Sequence, residues 1–169
     1  PAIGGSITFC EDSTIDDLSP YVIGNQIKWY SALTGGIQLS ASTVLVDGTT
    51  YYASQTNPNT GCETTRRGFS VAIVIAPVPT GNTSPVFCSL PIPTVSDLQA
   101  TGPNIFWYLT SNSGLELDST LPLVNGQTYY AESNIGNCPS ISRLAVTVSI
   151  INPNNAGSSG QRRFCISDI

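Results

Sequence analysis

Hydrophobic and polar residues alternate in two stretches of the chain, and this alternation predicts β-strands. Every second residue is apolar in residues 69–75 and again in residues 144–150. A period of two is expected for a strand with one buried face. No segment keeps the three- and four-residue apolar spacing of an amphipathic helix for three turns. Gly-Gly, Asp-Gly, Asn-Gly and Asn-Pro pairs recur between the apolar stretches, as is typical of turns. The pattern predicts an all-β chain.

The 169-residue chain also repeats itself. Five blocks recur at offsets of 76 to 78: Phe-Cys at 9, 87 and 164; Ile-x-Trp-Tyr or Ile-Phe-Trp-Tyr at 27 and 105; Gly-x-x-Leu at 36 and 114; Leu-Val-x-Gly-x-Thr-Tyr-Tyr-Ala at 45 and 123; Cys at 62 and 138. We predict repeats at 1–78 and 79–155, followed by a linker and the start of a third repeat at 156–169. The proline-spaced segment 77–85 is predicted to be a semi-extended joint between the two repeats.

The five cysteines divide into two per repeat and one in the third. A domain near 70 residues buries a small core, and closing a loop of about 50 residues should contribute roughly 4 kcal/mol. Two cysteines per repeat cannot complete a tetrahedral zinc site without histidine. Five cysteines allow many connectivities, but the equal offsets predict two pairs and one unpaired thiol: Cys10–Cys62, Cys88–Cys138 and Cys165. Disulfides indicate an oxidising compartment, hence export.

Composition and charge exclude several classes of function. Histidine is absent, which removes Ser-His-Asp and Cys-His catalysis and every histidine metal site. Six basic residues and a net charge of −5 leave no basic face for nucleic acid. No apolar run approaches the ~20 residues of a membrane helix. We expect no enzyme activity, no cofactor, no metal, no nucleic-acid partner and no membrane insertion. The missing initiator methionine predicts a fragment or a processed product.

Each repeat further predicts a β-sandwich. In the first repeat, strands are expected near 7–10, 15–18, 27–31, 37–39, 50–55 and 64–75. The order Cys10, Trp29, Cys62 is that of immunoglobulin domains, although the bridge would tie the first strand to the last hairpin. The Leu-x-x-Gly-x-x-Tyr motifs ending at Tyr51 and Tyr129 are typical of a tyrosine corner. We predict two tandem immunoglobulin-like, or fibronectin III-like, sandwiches plus the first strand of a third.

Taken together, these blocks resemble a known group of repeats. With the Ile/Val-x-Asp-Leu blocks at 15–18 and 95–98 and a closing Val-x-Val strand, they are similar to the Ig-like repeats of very long cell-surface proteins of the Bacteroidota. Gliding-motility adhesins and other type IX secretion substrates carry such repeats. The resemblance covers both repeats and the third from Phe164. It implies a secreted protein at the cell surface, outside the outer membrane, with neighbouring repeats and the type IX secretion machinery as partners.

Two groups of side chains have a structural and a functional interpretation. The carboxylates of Glu11, Asp12, Asp16 and Asp17 could bind calcium or form a glycosidase acid–base pair. Three of the four have no carboxylate counterpart in the second repeat, which favours a solvated loop.

Aromatic and basic residues recur as well. In each of the pairs 29–30 and 51–52 one ring must face inward. We expect Tyr30 and Tyr52 to be partly exposed, where they could stack on surface polysaccharide. The basic residues at 66–67 and 143 are expected to protect a strand edge, to bridge to a carboxylate or to cap a contact between domains.

Asp-Ser-Thr occurs at 12–14 and 118–120. The resemblance implies O-glycosylation at Ser13 and Ser119, because this short pattern is associated with it in exported Bacteroidota proteins. A bulky sugar requires an exposed turn, so we expect both hydroxyls to be exposed.

The sequence thus favours non-catalytic spacer repeats of a large exported surface protein, and the resemblance implies a gliding-motility adhesin. Stapled units joined by short segments would resist unfolding under shear. The alternative is a carbohydrate-binding accessory module of a surface enzyme, which a plane of exposed aromatic rings would favour.

Overall fold

A computed structural model describes residues 6–152, and short β-strands dominate this part of the chain. The strands are β1 Ser6–Cys10, β2 Ile27–Tyr30, β3 Gln38–Leu39, β4 Thr50–Gln55, β5 Arg67–Val74, β6 Val86–Cys88, β7 Phe106–Tyr108, β8 Thr128–Glu132, β9 Asn134–Ile135, β10 Cys138–Pro139, β11 Leu144–Thr147 and β12 Ser149–Ile151. Two 3₁₀ helices cover Ile15–Tyr21 and Val95–Asp97, and no residue from 6 to 152 is α-helical. The predicted all-β character is confirmed.

The chain divides into two compact units between Ile75 and Ala76, three residues before the predicted boundary. The predicted start of a third repeat, 156–169, lies outside the described residues. Within residues 6–152 no helix is long and apolar enough to cross a membrane.

The first unit is organised around one five-stranded sheet in the order β1-β5-β4-β2-β3. β1 and β5 run parallel, and the other neighbours are antiparallel. The alternation in residues 69–75 buries Phe69 and Val71, which are 3% and 1% exposed. Trp29 meets the ring of Phe69 edge to face at 5.3 Å. The predicted period-two strand therefore supplies the core of this unit.

The layer opposite this sheet is not the second sheet that a sandwich predicts. Residues 15–18, expected to be a strand, begin a 3₁₀ helix whose Ile15 and Leu18 pack on the sheet. The cause is a capping box, in which the Asp17 carboxylate accepts hydrogen bonds from the Thr14 backbone N–H at 2.7 Å and the Thr14 hydroxyl at 3.2 Å. An isolated antiparallel bridge, Thr14 to Val44, joins the residue before this helix to the segment before β4.

The second unit repeats the main pairings of this plan, with one strand divided and with no counterpart of β3 among its described strands. β11 and β12 together correspond to β5, and Val148 separates them. β11 joins the sheet β11-β8-β7, whereas β12 pairs with β6 in parallel, as β5 pairs with β1. The bridge Thr94 to Pro122 corresponds to the bridge in the first unit. The internal repeat is therefore a repeat of strand pairing as well as of sequence.

The predicted joint, residues 77–85, has backbone partners within the second unit. Pro79 is fully buried and Thr80 pairs with Thr101 in an antiparallel bridge. Farther along, the carbonyls of Thr83 and Pro85 accept hydrogen bonds from residues 147 and 149 at 2.9 and 3.0 Å. The segment belongs to the second unit because its backbone groups find partners there.

Candidate functional site

One arginine in each unit holds the loop that follows the Trp-Tyr strand. In the first unit, the carbon at the centre of the Arg66 guanidinium lies 3.3 Å from the centroid of the Tyr30 ring. The same guanidinium donates hydrogen bonds to two carbonyls of the loop, that of Ala32 at 2.8 Å and that of Gly35. We call this arrangement the arginine clamp. It combines a cation–π contact with two charge-assisted hydrogen bonds.

The second unit builds the same clamp from Arg143. Its guanidinium lies 3.4 Å from the Tyr108 ring centroid and donates to the carbonyls of Thr110 at 2.9 Å and Ser113 at 2.7 Å. Its Nε also pairs with the Glu132 carboxylate at 2.8 Å, and the two side chains are 8% and 13% exposed. Burial, together with the Glu132 charge, raises the pKa of the Tyr108 phenol. This charge pair is largely withdrawn from water.

A carboxylate accompanies the clamp tyrosine in both units but comes from different positions. Glu132 accepts a hydrogen bond from the Tyr108 hydroxyl at 3.3 Å. In the first unit the equivalent of Glu132 is Ser54, and the carboxylate is supplied by Glu63, which accepts from the Ser54 hydroxyl at 2.6 Å. Hydrogen bonds from Ser54 and then from Tyr30 hold the pKa of Glu63 below its ordinary value. The two units therefore place a carboxylate beside the clamp tyrosine from different sequence positions.

The clamp changes the interpretation of the recurring aromatic residues. Tyr30 was expected to be partly exposed, but only 9% of it is accessible because Arg66 covers its ring. Tyr52 is half-buried, as expected. Trp29 and Trp107 lie in the two cores. The ring faces of Tyr30 and Tyr108 are therefore occupied by a cation of the protein itself.

The two tyrosines of the Leu-x-x-Gly-x-x-Tyr motifs form equivalent hydrogen bonds. The Tyr51 hydroxyl accepts from the backbone N–H of Val46 at 2.9 Å, and the Tyr129 hydroxyl accepts from that of Val124 at the same distance. The rings are 5% and 1% exposed. Each phenol reaches backbone five residues upstream, which is the contact expected of a tyrosine corner.

The candidate glycosylation sites differ in exposure. Ser119 is exposed and Ser13 is half-buried. Their backbone carbonyls accept hydrogen bonds from the N–H groups of Ser96 and Leu45, at 2.9 and 2.8 Å. In each unit, the serine therefore lies in the layer that contains the 3₁₀ helix. Only Ser119 has the open surroundings expected of a glycan acceptor.

The acidic residues around the first 3₁₀ helix do not gather into a cation site. Asp17 is committed to its capping box. In the described part of the chain, no group of three or more His, Cys, Asp and Glu side chains could hold a metal ion.

The predicted pair Cys10–Cys62 is wrong. Cys62 is exposed and carries a free thiol, whereas Cys10 is disulfide-bonded. The sheet register explains why these two do not meet. Cys10 lies beside Val74 at the end of β5, while Cys62 precedes Arg67 at its start. Seven residues of strand span about 23 Å, and a disulfide requires Cα atoms within about 7 Å.

In the second unit, Cys88 and Cys138 are both disulfide-bonded. Cys165, expected to be unpaired, lies outside the described residues. Disulfides in the chain are typical of an oxidising, extracellular environment.

The arginine clamp is the feature that sequence reasoning found only in part. A bridge from a recurring arginine to a carboxylate was one of three expectations, and Arg143 forms that bridge. The stacking on tyrosine and the carbonyl contacts were missed. The available signal was the recurrence of Arg66 and Arg143 at the repeat offset, together with the recurring Trp-Tyr pair.

No family model matches the chain, and no curated protein matches it.

Proposed function

We propose that the chain consists of tandem all-β spacer repeats of a large exported cell-surface protein, resembling the Ig-like repeats of gliding-motility adhesins secreted by the type IX system. The repeats are non-catalytic. They bear load between an attachment site and an adhesive region, and neighbouring repeats are their main partners.

The parallel pairing of the first and last strands of each repeat carries this proposal. β1 pairs with β5, and β6 with β12, in parallel. The chain therefore enters a repeat at one end of the pair and leaves at the other. Tension pulls the two strands in opposite directions along their axes, so that all their hydrogen bonds resist together. That geometry suits a module that transmits force.

The recurring polar and aromatic groups support the non-catalytic part of the proposal. The clamp arginines bind loop carbonyls, the corner tyrosines bind backbone N–H groups, and Asp17 and Asp97 cap 3₁₀ helices. Groups that recur in both repeats thus stabilise the fold of each repeat. A ligand site would instead leave recurring polar groups directed outward.

A polysaccharide-binding assay tests this proposal against the carbohydrate-binding alternative. Isothermal titration of the 169-residue chain with a panel of bacterial surface polysaccharides should show no binding with a dissociation constant below about 1 mM. Tighter binding that Tyr52→Ala abolishes, and that Tyr21→Ala leaves intact, would support the accessory-module alternative and contradict the spacer function.

A further inference from the structure

We propose that a cavity at one end of the first unit binds an extended, proline-containing peptide strand of a partner protein. The proposal goes beyond the spacer function and does not depend on it. It rests on a comparison with the second unit, in which residues 77–81 of the chain occupy the equivalent place.

The cavity lies where β4 ends and β5 begins. Its volume is about 210 Å³, more than one water molecule requires. Ala53 and Phe69, which are 6% and 3% exposed, form its apolar part together with the half-buried Val22 and Ile27. Polar side chains at the ends of β4 and β5 line the rest of it. The first unit therefore has an apolar cavity with polar groups in its wall.

In the second unit a proline-containing segment is bound at this end. Pro79 is fully buried. The Ser133 hydroxyl donates a hydrogen bond to the Pro77 carbonyl. Thr80 and Thr101 exchange two backbone hydrogen bonds, at 2.7 and 3.0 Å. The segment is therefore held by a buried proline ring, a side-chain donor and an antiparallel bridge.

Two residues that line the cavity stand at the positions that bind this segment in the second unit. Gln55 corresponds to Ser133, and Ile23 to Thr101, at the repeat offset of 78. The Gln55 amide can donate to a peptide carbonyl as the Ser133 hydroxyl does. Within residues 6–152 no backbone hydrogen bond engages Ile23, which is 86% exposed. Ile23 therefore offers an incoming strand the N–H and C=O that Thr101 offers to Thr80.

Arg67 gives the site a preference for negative charge. It pairs with Ala53 as Leu144 pairs with Ala131, so Arg67 and Leu144 occupy equivalent positions. Leu144 lies beside Gly81, since a Cβ added to this glycine would be 3.6 Å from the leucine Cδ2. Arg67 is exposed, and in the part of the chain that the structure describes it forms no ion pair. An acidic residue just after the glycine of a bound peptide would therefore meet a guanidinium.

These contacts define the chemistry of the occupant. It is an extended strand with two prolines one residue apart, then Thr-Gly and an acidic residue. Prolines hold such a strand extended before it binds, which lowers the entropic cost of binding. Residues 77–81 of a second copy of this chain are already bound to its own second unit. The strand is therefore assigned to a partner protein.

NMR titration of the ¹⁵N-labelled 169-residue chain with the peptide acetyl-Ala-Pro-Val-Pro-Thr-Gly-Asp-amide tests the site. The resonances of Ile23, Gln55 and Thr64 should shift with a dissociation constant near or below about 1 mM. Those of Thr101 and Ser133 should not shift, because residues 77–81 fill their site. The absence of saturable shifts up to about 10 mM peptide, or shifts confined to the second unit, overturns the proposal.

Matched peptides and variants test the individual contacts. The peptide with Asn in place of Asp should bind about two- to fivefold more weakly, and Arg67→Gln should remove this difference. Ile23→Pro removes the N–H donor and should weaken the binding of both peptides about five- to tenfold. Ile23→Thr, which reproduces the second unit, is its control, and the dispersion of the other resonances shows that each variant folds. Equal affinities for the two peptides, or unchanged binding to Ile23→Pro, contradict the proposed contacts.

Two other occupants would give different results. If the peptide binds only after removal of residues 1–5, the amino-terminal segment of the chain itself occupies the cavity. If the same resonances shift on dilution without peptide, a second copy occupies it. Either result overturns the assignment to a partner protein. The spacer function is decided separately, by polysaccharide titration and by mechanical unfolding.

Discussion

Arg143 connects three parts of its repeat through one side chain. It covers the ring of Tyr108, pairs with Glu132 and binds two carbonyls of the loop after β7. A planar guanidinium can make these contacts simultaneously, which a lysine ammonium cannot. The low exposure of the ion pair makes loss of one partner costly, because the other charge stays buried.

Arg143→Gln should lower the free energy of unfolding of the second repeat by about 3 kcal/mol. Guanidinium denaturation followed by tryptophan fluorescence measures the change. Arg67→Gln is the matched control, since Arg67 is exposed at the start of β5 and its loss should change stability by less than about 0.5 kcal/mol. Equal effects of the two substitutions would contradict the clamp.

Tyr51→Phe should destabilise the first repeat by about 1–3 kcal/mol, because it removes the acceptor of the Val46 N–H and leaves that group without a bond. Tyr129→Phe should have a similar effect on the second repeat. Tyr52→Phe, on the neighbouring half-buried ring, should cost less. Thermal unfolding compares the Tm values of the three variants. An unchanged Tm for Tyr51→Phe would show that the hydrogen bond of the tyrosine corner does not stabilise the first repeat.

Ser54→Ala should raise the pKa of Glu63, since the Ser54 hydroxyl is the main group that lowers it. A carboxyl whose pKa is lower in the folded state stabilises the fold above its unfolded pKa. That contribution is lost as the pH falls through the folded pKa. NMR titration of the Glu63 side chain measures this pKa in the unsubstituted protein and in the Ser54→Ala variant. A Glu63 pKa that is unaffected by Ser54→Ala would contradict this assignment.

The first 3₁₀ helix shows where period-based reasoning fails at the scale of elements. Residues 15–18 bury Ile15 and Leu18 but do not form the predicted strand. The capping box at Thr14 and Asp17 decides the local conformation. Longer strands such as β4 and β5 were predictable, because alternation over six to eight residues outweighs a local turn preference.

Asp17→Ala should destabilise the first repeat by roughly 1 kcal/mol, because it removes the carboxylate that binds the Thr14 N–H and hydroxyl. Asp16→Ala, one residue earlier and exposed, is the control and should have little effect. Chemical denaturation of both variants measures the difference. If the two substitutions are equivalent, the capping box does not hold this helix.

The two units share their main strand pairings as well as blocks of sequence. The offset identified the two repeats and located the tyrosine motifs, because the same local residues make the same contacts. Cysteine pairing was not predictable in this way. The similar spacing of Cys10–Cys62 and Cys88–Cys138 does not show which cysteines lie close together in the fold. Only the parallel register of β1 and β5 shows that Cys10 and Cys62 lie at opposite ends.

The partners of residues 77–85 were hidden from the sequence for a related reason. Proline spacing predicted an extended segment but did not reveal that its backbone groups pair within the second unit. Tertiary partners of an extended segment leave little trace in its own sequence.

Single-molecule pulling from the two termini, with disulfides reduced, tests whether the repeats bear load independently. If each repeat is an independent load-bearing module, the trace should show two abrupt unfolding events, each releasing roughly 200 Å of chain at about 3.5 Å per residue. One event of double length, or gradual extension at low force without steps, would contradict independent load-bearing repeats.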